Sequence, residues 1–285
     1  MKKSTRTIYG ALLDSAKRFN DPLPILPNST LNQKFTVFEN ELPRQNELPI
    51  AQYLAIGLKG SEVTLSTEGF FKTKYRRYNP RWASLLSHVP YIVRPVEQGL
   101  TSDQREKYRL RTLEEFNGNF YECWWLRKLD LKANPVGVEY RKLINGNISS
   151  VAWEPSLSDL NPTPLTVNPN QVLLTGDDYL AATKKFEIEF TPQDIQELLN
   201  VCNVMYGDPD IANITEFGLV SGIERVMQTN FNGIMANYTE AIYCQITDFI
   251  NSTLSAPNAL RGQKLFIDGG SNEPLIIVNN PITNG

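Results

Sequence analysis

The chain has 285 residues, 41% of them hydrophobic and 21% charged, a balance that fits one large globular domain or two ordinary ones and argues against disorder. Its 28 basic and 31 acidic residues leave a net charge of −3, so neither sign is in the excess that nucleic acid or an anionic membrane surface would require. One histidine and three cysteines, with no CxxC, argue against a disulfide framework and against a Cys/His zinc centre.

Residues 4–20 predict a helix, with Ser4 or Thr5 as cap and Ile8, Leu12, Leu13, Ala16 and Phe19 at helical spacing. Its opening residues lack the uninterrupted apolar core of a secretory signal, so synthesis in a reducing cytoplasm is expected. Pro22, Pro24 and Pro27 fix φ and remove donors, which makes the next segment an extended arm. Strands are expected at Phe35–Phe38, at 51–57 and at 62–66, where Val63 and Leu65 share a face. Residues 72–81 form the one basic run, followed by a helical turn over 82–87 and a short strand at 91–94.

Two hairpins follow. One pairs 108–116 with 119–130 around Asn117-Gly118, and the other pairs 137–144 with 147–153 around Asn145-Gly146. Asn-Gly supplies the positive φ that a two-residue hairpin turn needs. The proline-rich stretch 161–170 reads as a linker. It divides an N-terminal strand-rich region, 1–160, from a C-terminal α+β region, 161–285, with one compact unit as the alternative.

Phe186–Phe190 alternates as a half-buried strand, and Thr191 then caps a helix over 192–206 with Pro192 at its first position. Residues 215–221 form a further strand. At 238–250 the strand pattern of Ile242, Cys244 and Ile246 competes with helical spacing of Ala241, Gln245 and Phe249, and strand is favoured. Residues 264–267 and 274–278 predict a last hairpin around Asp268-Gly269-Gly270-Ser271, and the tail 279–285 reads as another extended arm. The fold class is therefore α+β and strand-rich, built of antiparallel hairpins with a few helices. No run reaches the roughly 18 apolar residues of a membrane-spanning helix.

Catalytic signatures are scarce. His88 has Ser84 and Ser87 nearby but no G-x-S-x-G elbow, so a packed or capping histidine is expected. Cys123 lies among strand residues and reads as a buried thiol. Asp177, Asp178, Asp208 and Asp210 read as turn aspartates, without the spacing of a calcium loop. No glycine-rich phosphate loop occurs. A glycosidase needs two facing carboxylates; Glu114, Glu115, Asp130 and Glu139 lie on or near hairpins, and spacing does not say whether any two converge. No catalytic, metal or cofactor residues are expected.

The basic run is interleaved with aromatics: Lys72, Lys74, Tyr75, Arg76, Arg77, Tyr78, Arg81 and Trp82. Such a run suits single-stranded nucleic acid, a protein interface or a solvated loop. The near-neutral charge balance makes direct nucleic-acid binding the weakest of the three. The interface candidates are Tyr75, Arg76, Arg77, Tyr78, Arg81 and Trp82, with Pro22, Pro24, Pro162 and Pro164 on the extended arms.

Four stretches carry a resemblance: Ala51-Gln52-Tyr53-Leu54-Ala55-Ile56-Gly57, Gly137-Val138-Glu139-Tyr140-Arg141-Lys142-Leu143, Thr215-Glu216-Phe217-Gly218-Leu219-Val220-Ser221-Gly222 and the run from Phe266 to Leu275. They resemble virion structural proteins of tailed bacteriophages, and more narrowly wedge-type components of contractile-tail baseplates. The likeness is spread along most of the chain and includes no catalytic fingerprint. It implies a multi-copy subunit of the particle, made in the host cytoplasm, with other tail subunits as partners and without cofactor or active site. The alternatives are a neck, connector or capsid-associated virion protein, and a carbohydrate-binding or carbohydrate-cleaving host-recognition module whose Trp- and Tyr-rich hairpins stack on sugars.

Overall fold

The computed structural model describes residues 4–131, 135–145, 147–231 and 234–279. In chain order its first elements are β1 (Ser4–Arg6), α1 (Ile8–Phe19), α2 (Leu31–Phe35), β2 (Ile50–Gly57), β3 (Ser61–Leu65), β4 (Phe71–Tyr75), β5 (His88–Val89) and β6 (Ile92–Pro95). Then come α3 (Ser102–Lys107), β7 (Tyr108–Phe116), β8 (Asn119–Lys128), β9 (Gly137–Ile144), β10 (Asn147–Ala152), α4 (Leu157–Leu160) and β11 (Val172–Phe190). The chain ends in α5 (Pro192–Tyr206), β12 (Asn213–Phe231), β13 (Ile234–Ser255) and β14 (Gln263–Asn279). The strand-rich α+β class holds.

The chain divides into two units. One takes the residues up to Asp130 and Glu189–Gln263; the other takes Leu131–Ile188 and the residues from Lys264 onward. The expected division at 160/161 is displaced for a physical reason. The proline-rich stretch is an exposed excursion between α4 and β11 inside the second unit. The passages between units fall instead near Asp130, near the end of β11 and at the start of β14, where no proline or glycine cluster marks them.

The first unit is built on an eight-stranded sheet in the order β1-β13-β12-β2-β8-β6, with β5 beside β2 and β7 beside β8. Tyr53, Leu54 and Ile56 of β2, Leu126 of β8, Phe217 and Val220 of β12, and Ile246 and Phe249 of β13 are buried in it. Each such side chain contributes about 1.5–3 kcal/mol by leaving water. Leu13 and Ala16 of α1 close over β13 with Leu23 and Tyr243. Leu23 thus ties the proline arm to its own chain, while Pro22 and Pro24 on either side of it stay exposed.

The N-terminal helix begins at Ile8 rather than Ser4. Ser4, Thr5 and Arg6 pair with Ile250, Phe249 and Asp248 as an edge strand. Thr7 then caps the helix by accepting from the Gly10 amide, and Asn20 closes it at φ 53°. The strand expected at 35–38 is absent. A capping box of Thr30 and Gln33 starts α2 instead, and Thr36 ends it at φ 54°. Residues 82–87 form turns without a helix.

Helix α5 matches its sequence signals, with Thr191 and Asp194 bonded reciprocally and Gly207 closing it at φ 74°. The Asn117-Gly118 hairpin has its expected 116↔119 closure. In the second hairpin Asn147 pairs with Ile144, while Gly146 lies outside the described residues. Residues 238–250 belong to β13 as strand. The tail beyond Asn279 lies outside the described residues.

In the second unit the sheet order is β10-β9-β11-β14, and β9 runs antiparallel to both β10 and β11. Its buried Arg141 bonds Glu139, Thr183 and Asp268. The hairpin expected around 268–273 is a correction: β14 runs unbroken through it. Gly270 is there for close approach, since a Cβ at that position would meet the Ala182 carbonyl oxygen at 2.1 Å.

Candidate interaction surface

The surface carrying the basic and aromatic residues is fixed from beneath by one carboxylate. Glu216 of β12 is fully buried. It accepts from the Ser87 amide at 2.7 Å, the Leu86 amide at 3.0 Å and the Tyr78 hydroxyl at 3.0 Å. Gly57 makes room for it, because a Cβ there would sit 2.4 Å from a Glu216 oxygen. Charge-assisted bonds of this kind are roughly twice as strong as neutral ones and satisfy the charge where water cannot reach.

Tyr78 stacks on Phe249 with centroids 4.5 Å apart and meets Trp82 edge-on at 6.2 Å. It is a core residue, so its place among the interface candidates is corrected: its partner Glu216 draws it inward. The same anchor leaves Arg77 and Arg81 exposed and Trp82 half-buried. Tyr75 is exposed and shares a 2.9 Å hydroxyl contact with Thr253, and Arg76 pairs with Glu62 at 3.3 Å. Arg77 and Arg81 have no ion pair among the described residues. Pro162 and Pro164 are exposed.

Beside this loop lies a cleft of about 710 Å³, lined by Tyr9, Thr30, Gln33, Lys34, Trp82 and Ser84 among others. The Lys34 ammonium donates to Ser84 Oγ at 2.6 Å, and the Tyr9 hydroxyl donates to the Arg81 carbonyl at 3.0 Å. Desolvation lowers the Lys34 pKa, against the pull of Glu216. Lys34 and Arg81 bring two cationic side chains to its lining.

The β3–β4 ribbon is a second exposed feature, pairing only with itself. Leu65 faces Phe71 and Val63 faces Thr73, so the apolar residues gather on one side. Phe70 and Phe71 are 70% and 82% exposed, a large apolar tip left in water. The alternation of Val63 and Leu65 was legible in sequence; that none of the described residues covers it was not.

Several of the residues weighed for chemistry have structural partners. His88 is buried against Phe35 and Trp125, and burial pushes its pKa down to about 3, so it stays neutral. Burial raises the Cys123 thiol to about 12 and the Cys202 thiol to about 11. Asp178 accepts from the Tyr140 hydroxyl at 2.5 Å, and Asp208 accepts from the Asp210 amide as a turn aspartate does. Glu139 holds Lys185, Ser150 and Arg141, and these bonds lower it to about 2. Asp194 of α5 is matched to Lys107 and Arg127, and Glu197 to Arg94. Among the described residues, no three His, Cys, Asp or Glu side chains are grouped to hold a metal. No helix among them is long and apolar enough to cross a membrane.

A family model matches residues 1–283, described as a family of unknown function (DUF7208), and the chain belongs to that family. No curated protein and no solved structure matches it.

Proposed function

Starting from membership of DUF7208, we propose that this chain is a non-enzymatic structural subunit of a tailed-phage particle, a baseplate or tail component that works through protein–protein contacts. The observation that carries the reading is apolar strand surface left uncovered in both units. In the first, Val63, Leu65, Phe70 and Phe71 stand exposed on a lone ribbon. In the second, Val151 and Ile276 stay exposed on a sheet whose helical material in the described residues is the four-residue α4. A stable domain covers its sheet with a second layer. Uncovered faces of this kind fit a subunit whose second layer comes from its neighbours.

The sugar-stacking alternative has less support, because Trp124 and Trp125 of the aromatic hairpin are buried. The test is mass spectrometry of purified particles of the encoding phage, paired with a knockout. Peptides from this chain at fixed stoichiometry, and defective particles without it, are the expected result. Particles complete and infectious without the chain would overturn the proposal. Antibody labelling in electron micrographs separates baseplate from neck, connector or capsid.

A further inference from the structure

The β3–β4 ribbon is amphipathic across its two faces. Val63, Leu65, Phe71 and Tyr75 share one face, while Glu62, Thr64, Lys72 and Lys74 share the other. Residues 61–77 hold four cations and two carboxylates in a chain whose net charge is −3. Glu62 is shared between Lys74 and Arg76. Lys72 and Arg77 have no ion pair among the described residues.

A surface of opposite character lies on the same unit, where β6 ends and the β7–β8 hairpin turns. A cleft of about 540 Å³ is lined there by Pro95, Val96, Glu97, Leu113 and Phe120 among others. Val96 is 51% exposed, Leu113 60% and Phe120 56%. Glu115 stands opposite Phe120 in the ladder, and Glu122 stands opposite Leu113. Glu122 is paired with Arg111, but Glu97 and Glu115 have no ion pair among the described residues. One patch is thus apolar with the unpaired Lys72 on its reverse face, and the other is apolar with spare carboxylates.

We propose that the ribbon of one copy docks its apolar face in the β6–β7–β8 cleft of a second copy. This deepens the assembly reading and rests on it. Phe71 and Leu65 fill the cleft against Leu113 and Phe120. Lys72 reaches round a ribbon two strands wide, as long cationic side chains do, to meet Glu97 or Glu115. The two patches are different surfaces, so the contact is head-to-tail: a pair of copies keeps one unused ribbon and one unused cleft between them, and association continues into a ring or a row.

The test is sedimentation velocity of the full chain over a concentration series. Wild type is expected to associate beyond a dimer. Phe71→Asp, which spoils the ribbon, and Leu113→Asp, which spoils the cleft, are each expected to be monomeric. Both positions are solvent-exposed, and circular dichroism checks that each variant is folded. An equimolar mixture of the two retains one good ribbon and one good cleft and is expected to give a 1:1 heterodimer that grows no further. Lys72→Glu is expected to weaken association by about tenfold, and Glu97→Lys with Glu115→Lys in the same chain to restore it.

A wild type that stays monomeric, self-association that survives both aspartates, or a mixture that forms no heterodimer would each overturn this contact. If the same chain is still found in purified particles, the ribbon belongs to a different subunit and the assembly reading stands. Self-association by this contact in a chain absent from particles would support the contact and remove the virion role.

Discussion

Asn32 of α2 completes a break in β13. Its side-chain oxygen accepts from the Cys244 amide at 2.8 Å, and its nitrogen donates to the Ala241 carbonyl at 3.0 Å. Between them Tyr243 turns to φ 50°, and the β12–β13 register shifts between Ser221 and Ile223. One amide thereby stands in for the backbone partner a bulge removes. Asn32→Ala leaves two buried backbone groups unsatisfied and is expected to cost about 3 kcal/mol in urea unfolding. A loss under about 0.5 kcal/mol would show that the bulge does not depend on it.

Glu216→Gln is expected to be more damaging than Tyr78→Phe. The first replaces a carboxylate serving four donors inside the protein, the Lys59 amide among them; the second removes one of those donors. Losses of about 3 and about 1 kcal/mol follow. Hydrogen exchange at the Leu86 and Ser87 amides is the local readout, and both should speed up in Glu216→Gln. Equal losses in the two variants would contradict the anchoring role.

The second unit carries an acid-sensitive joint. Glu139 is lowered from its ordinary 4.5 to about 2 by bonds from Lys185, Ser150 and Arg141. A carboxyl held below its unfolded value adds stability that is complete above 4.5 and is lost as pH falls toward 2. Glu139→Gln should therefore be less stable than wild type at neutral pH, and the gap should close on acidification through that window. Urea midpoints measured across it test this; a gap independent of pH would contradict the assignment.

The three thiols should be silent in the folded state. Cys123, Cys202 and Cys244 are buried, and burial raises all three pKa values. A thiol-specific chromogenic disulfide should label none of them in buffer and all three in denaturant. Rapid labelling of any one under native conditions would place it at the surface.

Local chemistry was legible where one residue type has one use. Thr191, Pro192 and Gly207 bracket α5 because caps and first-turn prolines have few other roles. Asn117-Gly118 marks its hairpin for the same reason. Glycines 269 and 270 were misread because a turn and a close approach demand the same residue, and the neighbour that decides between them, Ala182, comes from another strand. The strand expected at Phe35 lost to a capping box that Thr30 and Gln33 had written into the sequence. At the candidate surface, the outward arginines were readable from charge. The inward turn of Tyr78 was not, because its partner is 138 residues away.

The pairing of β1 with Ile250, Phe249 and Asp248 sets a timetable for the nascent chain. Ser4, Thr5 and Arg6 leave the ribosome early and have nowhere to dock until those residues emerge, on the order of tens of seconds later at ordinary elongation speeds. Throughout that interval the outer edge of the large sheet does not exist, and the unit cannot close from its beginning toward its end.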